Sequence, residues 1–186
     1  MALMVNGEMK SLNTIITFGI AKISPILRDS YEGGSIYRRT LVQIFSTAVN
    51  QLYSKEFNII FHHGVNNGYL IKKSNEKDFS EEEIKRIKEK MDDLIKKDLK
   101  IEEIDLSQDE DLNYFKEINH NYSVSLIESN NTEIVKCSCI DKFLTLFFRL
   151  LDKSTGNINE FDVRLSSEKI AYYYYFQQIQ NQYLKI

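Results

Sequence analysis

Two adjacent histidines, two cysteines with a single residue between them and two adjacent arginines are the side chains in this sequence whose type and spacing invite chemistry. Beyond His62 and His63 there is one further histidine, His120. A zinc site would need further ligands, since zinc takes four donors, and the only other His and Cys are His120, Cys137 and Cys139. Neighbouring strand residues point to opposite faces, so the favoured alternative is a strand end with one ring turned inward and the other outward. Cys137 and Cys139 lie too close along a strand for a mutual disulfide. Two thiolates fill half of a tetrahedral site, which favours ordinary core or half-buried cysteines. Arg38 and Arg39 suit a phosphate, and suit pairing with acidic neighbours equally well.

The other charged and aromatic runs point away from catalysis. Lys85, Arg86, Lys88, Lys90, Lys96 and Lys97 are offset by Glu81, Glu82, Glu83, Glu89, Asp92 and Asp93. Acid comes first and base last, as the helix dipole prefers, so this is a solvated face. In a strand, Tyr172 to Tyr175 put a pair of rings on each side. Base stacking would want interleaved basic residues, and none interleaves after Lys169, so packing against a neighbouring domain or sheet is expected. The sequence contains no G-x-x-x-x-G-K-[ST], G-x-S-x-G or H-E-x-x-H. These residues therefore do not bind ATP in the phosphate-loop manner.

What must position these groups can be read from pattern. At 186 residues, 42% hydrophobic and 27% charged, the chain suits one well-buried domain with a small extra lobe. A net charge of −3 supplies no global basic field, so RNA binding is not expected. No apolar run reaches bilayer length, no membrane partner is expected, and unpaired cysteines fit a reducing cytosol, which predicts a cytoplasmic protein. Residues 3 to 27 hold two apolar alternations, LMV and TIITFGIAKISPIL, separated by VNGEMKSLN with a turn at Asn6-Gly7: a hairpin-like leader. Asp29 to Ser35, with Gly33 and Gly34, reads as a hinge or helix-entry loop. From Ile36 to Tyr53 the apolar residues cover more than one helical stripe, which predicts a central helix.

FNIIFHHGVNNGYLIKK reads as a hairpin with its turn at Asn67-Gly68. Ser80 with Glu83, and Ser107 with Glu110, are capping boxes that open two helices, the first ending near Lys97. Ile101 and Ile104 fall in a strand or extended link between them. From Val124 the segments VSLIE, EIVKCSCI, FLTLFFRLL, EFDVRL and KIAYYYYF predict strands. The fold class is α+β: an antiparallel sheet curled around a central helix, with a helix pair on the side and a short N-terminal β-hairpin leader.

Four ordered blocks carry a resemblance: YRRTLVQIFSTAVNQLY, HHGVNNGYLI, FSEEEIKRIKEKMDDLIKKDLKIEEIDLSQDEDLNYFKE and DKSTGNINEFDVRL. Together they resemble the second N-terminal domain of threonyl-tRNA synthetase, shared with alanyl-tRNA synthetases. VNGEMKSLNTIITFGIAKISPI is similar to the end of the ubiquitin-like TGS domain that precedes it there. The resemblance implies a partial TGS-like leader over 1–29, the editing-type domain over 30–176 and a tail or linker over 177–186. A second branch of the family fuses these domains to a phosphate-binding-loop kinase of the uridine kinase and phosphoribulokinase type. IYRRTL and STGNINEFDVRL resemble that branch more closely, and His63 falls where it often has a histidine.

The synthetase version uses a His-x-x-x-His pair on the central helix and a Cys-x-x-x-His pair near the last strands to hydrolyse tRNA charged with serine in error. Aligned without gaps, those positions fall on Arg39 and Gln43, and on Phe147 and Leu151. A guanidinium takes up no proton at neutral pH, and Phe and Leu offer no lone pair. The expectation is thus a non-catalytic accessory or regulatory domain of a uridine kinase-like protein, with no metal and no cofactor of its own. ATP and Mg are implied for the parent kinase, whose C-terminal kinase domain would be the partner in the same chain. A small-molecule ligand at Arg38, Arg39, Gln43, His62 or His63 stays open. The alternative is an aminoacyl-tRNA editing deacylase or a tRNA-binding module. A truncated leader and an unfinished tail both suit a fragment.

Overall fold

A computed structural model describes residues 2–12, 14–17, 19–54, 56–65, 68–130, 132–146, 149–165 and 171–174; at 63–65, 68 and 171–174 it describes the backbone. β1 (Ala2–Val5) and β2 (Glu8–Ser11) form the expected hairpin around Asn6-Gly7, and β3 (Ile23–Ile26) pairs with the other edge of β1. The strand β2 is EMKS, a stretch its polarity had assigned to the connector, whereas TIIT in the second expected alternation is not a strand. Ala2 and Ile26 close a small core of their own on Ile36 of the following helix.

That helix, α1, runs Tyr31–Tyr53 and begins earlier than expected. Ser30 caps it, its Oγ accepting from Gly33 N at 3.1 Å and donating to Leu27 O at 2.8 Å. Gly33 and Gly34 are therefore buried in the first turn and are no hinge. A Cβ at Gly33 would overlap the Leu27 carbonyl, so the glycine permits close approach of the incoming chain. Along α1, Tyr37, Leu41, Ile44, Phe45 and Ala48 are buried in the main core. Arg39, Val42, Gln43, Ser46, Val49 and Asn50, also at helical spacing, form a second stripe facing a cavity.

β4 (Ile59–Val65) and β5 (Gly68–Lys73) follow as the expected hairpin, whose turn residues 66 and 67 lie outside the described residues. A register shift between Phe61 and Gly64 places His62 and His63 at a β-bulge. α2 (Glu81–Lys96) and, after β6 (Glu102–Ser107), α3 (Gln108–Glu117) both carry the capping boxes expected at Ser80/Glu83 and Ser107/Glu110. VSLIE is not a strand: it lies in α4 (Asn121–Ser129), capped by the His120 ring. Over five residues an apolar alternation and a helical stripe are hard to separate, and Ile127, sharing a cluster with Phe115 of α3 and Cys137, settles it as helix.

β7 (Ile134–Ile140), β8 (Phe143–Leu146), β9 (Asp162–Leu165) and β10 (Ala171–Tyr174) complete the α+β fold. Among the described residues the antiparallel strands form three sheets, β2-β1-β3, β4-β5-β10-β9 and β6-β7-β8. Two sequence blocks meet at one junction. Thr155, fully buried, donates to Leu94 O at 2.7 Å and accepts from Leu99 N at 2.9 Å, while Gly156 N donates to Asp98 Oδ1 at 3.1 Å. The KKDL exit of α2 is thereby locked to the STGN turn, and a Cβ at Gly156 would overlap the Asp98 carboxylate.

Candidate functional site

A cavity of about 540 Å³ lies beside α1, walled by β4, β5, β7, β8 and α4. Its volume is in the range of small-molecule sites. The floor is a polar triad. Ser138 on β7 and Thr145 on β8 are directly paired across the ladder, so their side chains lie side by side. Ser138 Oγ donates to Gln43 Oε1 at 3.0 Å and lies 3.0 Å from Thr145 Oγ1, which also contacts Gln43 Oε1. Gln43 Nε2 donates to Ser138 O at 3.3 Å. Both ends of the buried Gln43 amide are engaged, and an amide takes up no proton at neutral pH.

One turn earlier on α1, Arg39 Nε donates to Leu150 O at 3.0 Å. Its Nη2 is buried with no hydrogen-bond partner among the described residues. Arg149 lines the same cavity and is otherwise exposed. Burial first, and then the charge of Arg149, push the Arg39 pKa down, so the two guanidiniums feel each other. Leu151, Phe61 and Tyr69 also line the cavity, with the Phe61 and Tyr69 rings edge to face at 6.4 Å. Among the described residues the lining includes no carboxylate.

His120 marks the α4 side. Its Nδ1 accepts from Ser123 N at 3.3 Å, which requires the lone pair of a neutral ring, and the ring rests on Phe115 at 5.7 Å between centroids. Burial pushes its pKa below the ordinary 6.5. The unfolded chain then binds the proton more readily than the folded one. This contribution to stability is complete above about pH 6.5 and is lost as pH falls below it. Urea midpoints between pH 7.5 and 5.5 are expected to fall with acid in the native chain and to stay flatter in His120→Asn, which caps without titrating. Equal slopes would show that His120 does not sense acid.

Of the residues singled out from sequence, Arg39, Gln43 and Leu151 line this one cavity. Arg38 points to Ser35, its Nη2 donating to Ser35 Oγ at 3.0 Å, and it does not line the cavity. His62 is exposed on β4 and does not line it either. The side chain of His63, all of Phe147, the side chains of the tyrosine run and the tail from 175 lie outside the described residues. Nothing in the sequence marks Ser138, Thr145 or Arg149 as site residues, and it marks His120 only as a possible metal ligand. The alternation of β7 and β8 was visible, but which face met Gln43 depended on register.

Cys137 is buried, and its thiol donates to Asp111 Oδ1 at 3.1 Å. Burial, and then the Asp111 carboxylate, push the thiol far above its ordinary pKa, which makes it inert as a nucleophile. Among the described residues no three His, Cys, Asp or Glu side chains group as metal ligands. No helix there is long and apolar enough to cross a membrane.

No family profile matches the chain. It is 32% identical over 123 residues to the threonine–tRNA ligase of Caldanaerobacter subterraneus subsp. tengcongensis, covering 66% of this chain and 19% of that protein. To the threonine–tRNA ligase of Syntrophotalea carbinolica it is 29% identical over 169 residues, 90% of this chain and 26% of the relative. The ligase of Acetivibrio thermocellus is again 32% identical over 123 residues, 19% of its length. The chain thus spans about a fifth to a quarter of the curated relatives it matches. Over most of its length it is homologous to a segment of threonine–tRNA ligases, and it carries a threonyl-tRNA synthetase-like domain.

Proposed function

We propose that this chain is an accessory domain of the editing type that has given up hydrolysis and serves a larger protein by binding or sensing. The observation that carries the reading is the state of the two helix positions where the resemblance places hydrolytic histidines. Gln43 is held by Ser138 and Thr145, and Arg39 is anchored on the Leu150 carbonyl. Neither can activate water as a general base at neutral pH. Leu151, at a third of the four positions, contributes only hydrocarbon. At these three positions the cavity offers no general base, and the fourth, Phe147, lies outside the described residues.

The parent is proposed to be a uridine kinase-like protein, its kinase domain supplying ATP and Mg chemistry and forming the in-chain partner. Support for that step is the likeness of IYRRTL and STGNINEFDVRL to the kinase-fused branch. A G-x-x-x-x-G-K-[ST] segment in the same reading frame is the expected finding; a synthetase core in its place would overturn the kinase assignment.

The hydrolytic question has a direct assay. Threonine-specific tRNA charged with radiolabelled serine, incubated with the purified chain, is expected to lose its label at the spontaneous rate. Release faster than in buffer, abolished by Gln43→Leu, would overturn the proposal and make the chain an editing deacylase.

A further inference from the structure

We propose that the cavity is a receptor for a small amphipathic anion, its carboxylate or phosphate head held between Arg39 and Arg149 and its apolar body lying along Phe61, Tyr69 and Leu151. This rests on the reading of the cavity as a binding site and names the ligand class. Three independent features converge. The cavity of about 540 Å³ has room for a nucleoside-sized or medium-chain molecule. Two guanidiniums reach it, and no carboxylate among the described residues lines it to compensate them. Arg39 is fixed by its Nε on Leu150 O while Nη2 is buried without a partner among the described residues, so a donor is already desolvated and oriented.

A buried donor left unmade costs free energy, and an anion accepting from it recovers that cost. The same anion relieves the repulsion between the two arginines. Their adjacency comes from the fold: Arg149 immediately precedes the residue whose carbonyl anchors Arg39. Guanidinium forks match the planar oxygens of a carboxylate and the tetrahedral oxygens of a phosphate, so either head fits the chemistry. The aromatic and aliphatic wall beside them gives the rest of the molecule an apolar surface and excludes a bare, strongly hydrated ion as the preferred ligand. The floor triad keeps its own polar groups satisfied and asks nothing of the ligand.

Fluorescence titration of the full chain tests this with two probes of similar size, anionic anilinonaphthalene sulfonate and neutral N-phenylnaphthylamine. The anionic probe is expected to bind at one site, about tenfold or more tighter than the neutral one, since hydrogen bonds to charged groups carry roughly that factor. Arg149→Met, at an exposed position, is expected to weaken the anionic probe about tenfold and to leave the neutral one unchanged. Arg39→Met should do the same, with near-ultraviolet dichroism verifying its fold; if it does not fold, Arg149→Met alone decides. Competition then separates the sources. Displacement by decanoate assigns a carboxylate and displacement by decyl phosphate a phosphate, while decanol should displace neither probe preferentially. Equal affinity for both probes, insensitivity to Arg149→Met, or no displacement by either anion would overturn the proposal. A chain that fails these tests yet leaves seryl-tRNA intact loses only the ligand class, whereas ester cleavage would strike the underlying reading.

Discussion

Glu83→Ala is expected to lower the free energy of unfolding by about 3–5 kcal/mol, the cost of orphaning a buried charge. Lys73 is 6% exposed, and its Nζ lies 2.6 Å from Glu83 Oε1. The rings of Phe57 and Phe79 face the same ammonium at 4.6 and 5.0 Å from its centre. Glu83 also closes the α2 capping box, its Oε2 accepting from Ser80 N at 2.7 Å. One carboxylate thus neutralises a buried lysine and satisfies a helix end. Burial by itself would raise the Glu83 pKa, but the hydrogen bond from Lys73, that from Ser80 and the lysine charge outweigh it and hold it below the usual 4.5. Its contribution is present above that value and is lost as pH falls through the folded pKa.

The reciprocal change is asymmetric. Lys73→Met keeps the aliphatic stem between the two rings and leaves Glu83, 22% exposed, to cap α2 in contact with water, so a cost of about 1 kcal/mol is expected. In the double variant the orphaned charge is gone, and the Glu83→Ala penalty should shrink to about 1 kcal/mol, the ordinary loss of a cap interaction. Urea denaturation of the four proteins measures the coupling. Additive effects, or a Glu83→Ala cost near 1 kcal/mol in the presence of Lys73, would show that the lysine reaches water and that the pair is a surface one.

Ser80/Glu83 and Ser107/Glu110 were legible because a capping box is closed within four residues, and no distant contact can move it. The central helix was legible for a different reason: its apolar residues cover more than one helical stripe, more than a surface helix needs. VSLIE was misread because five residues do not separate a period of 2 from one of 3.6, and its partner Phe115 is supplied by another helix. EMKS was missed as a strand because both of its faces are exposed or half-buried, and only pairing with β1 makes it one. Gly33 and Gly34 looked like a hinge because the sequence does not show the Leu27 carbonyl that requires the first of them.

The site divides along the same line. Arg39 and Gln43 are four apart on a helix, so their shared face followed from spacing alone. Ser138 and Thr145 came to that face through the β7–β8 register, and Arg149 and His120 through chain reversals that leave no local mark. His62 stands out by its type, but it follows cavity-lining Phe61 on β4 and is exposed.

Phe45→Ala is expected to cost about 3–5 kcal/mol, a large part of the roughly 5–15 kcal/mol that stabilises a domain. Phe45 is fully buried on the core face of α1 and meets Phe61 edge to face at 6.2 Å, so truncation both opens a void and loosens a ring that walls the cavity. At about 2–4 °C per kcal/mol the melting temperature should fall by roughly 6–20 °C. Ser46, the next residue, faces the cavity and only donates to Val42 O of its own helix at 2.8 Å. Ser46→Ala should therefore stay within about 0.5 kcal/mol of the native chain. The contrast between neighbours tests the division of α1 into a sealing face and a binding face. Similar losses at 45 and 46 would mean that the helix is rotated about its axis, and with it the placement of Arg39 and Gln43 in the cavity would fail.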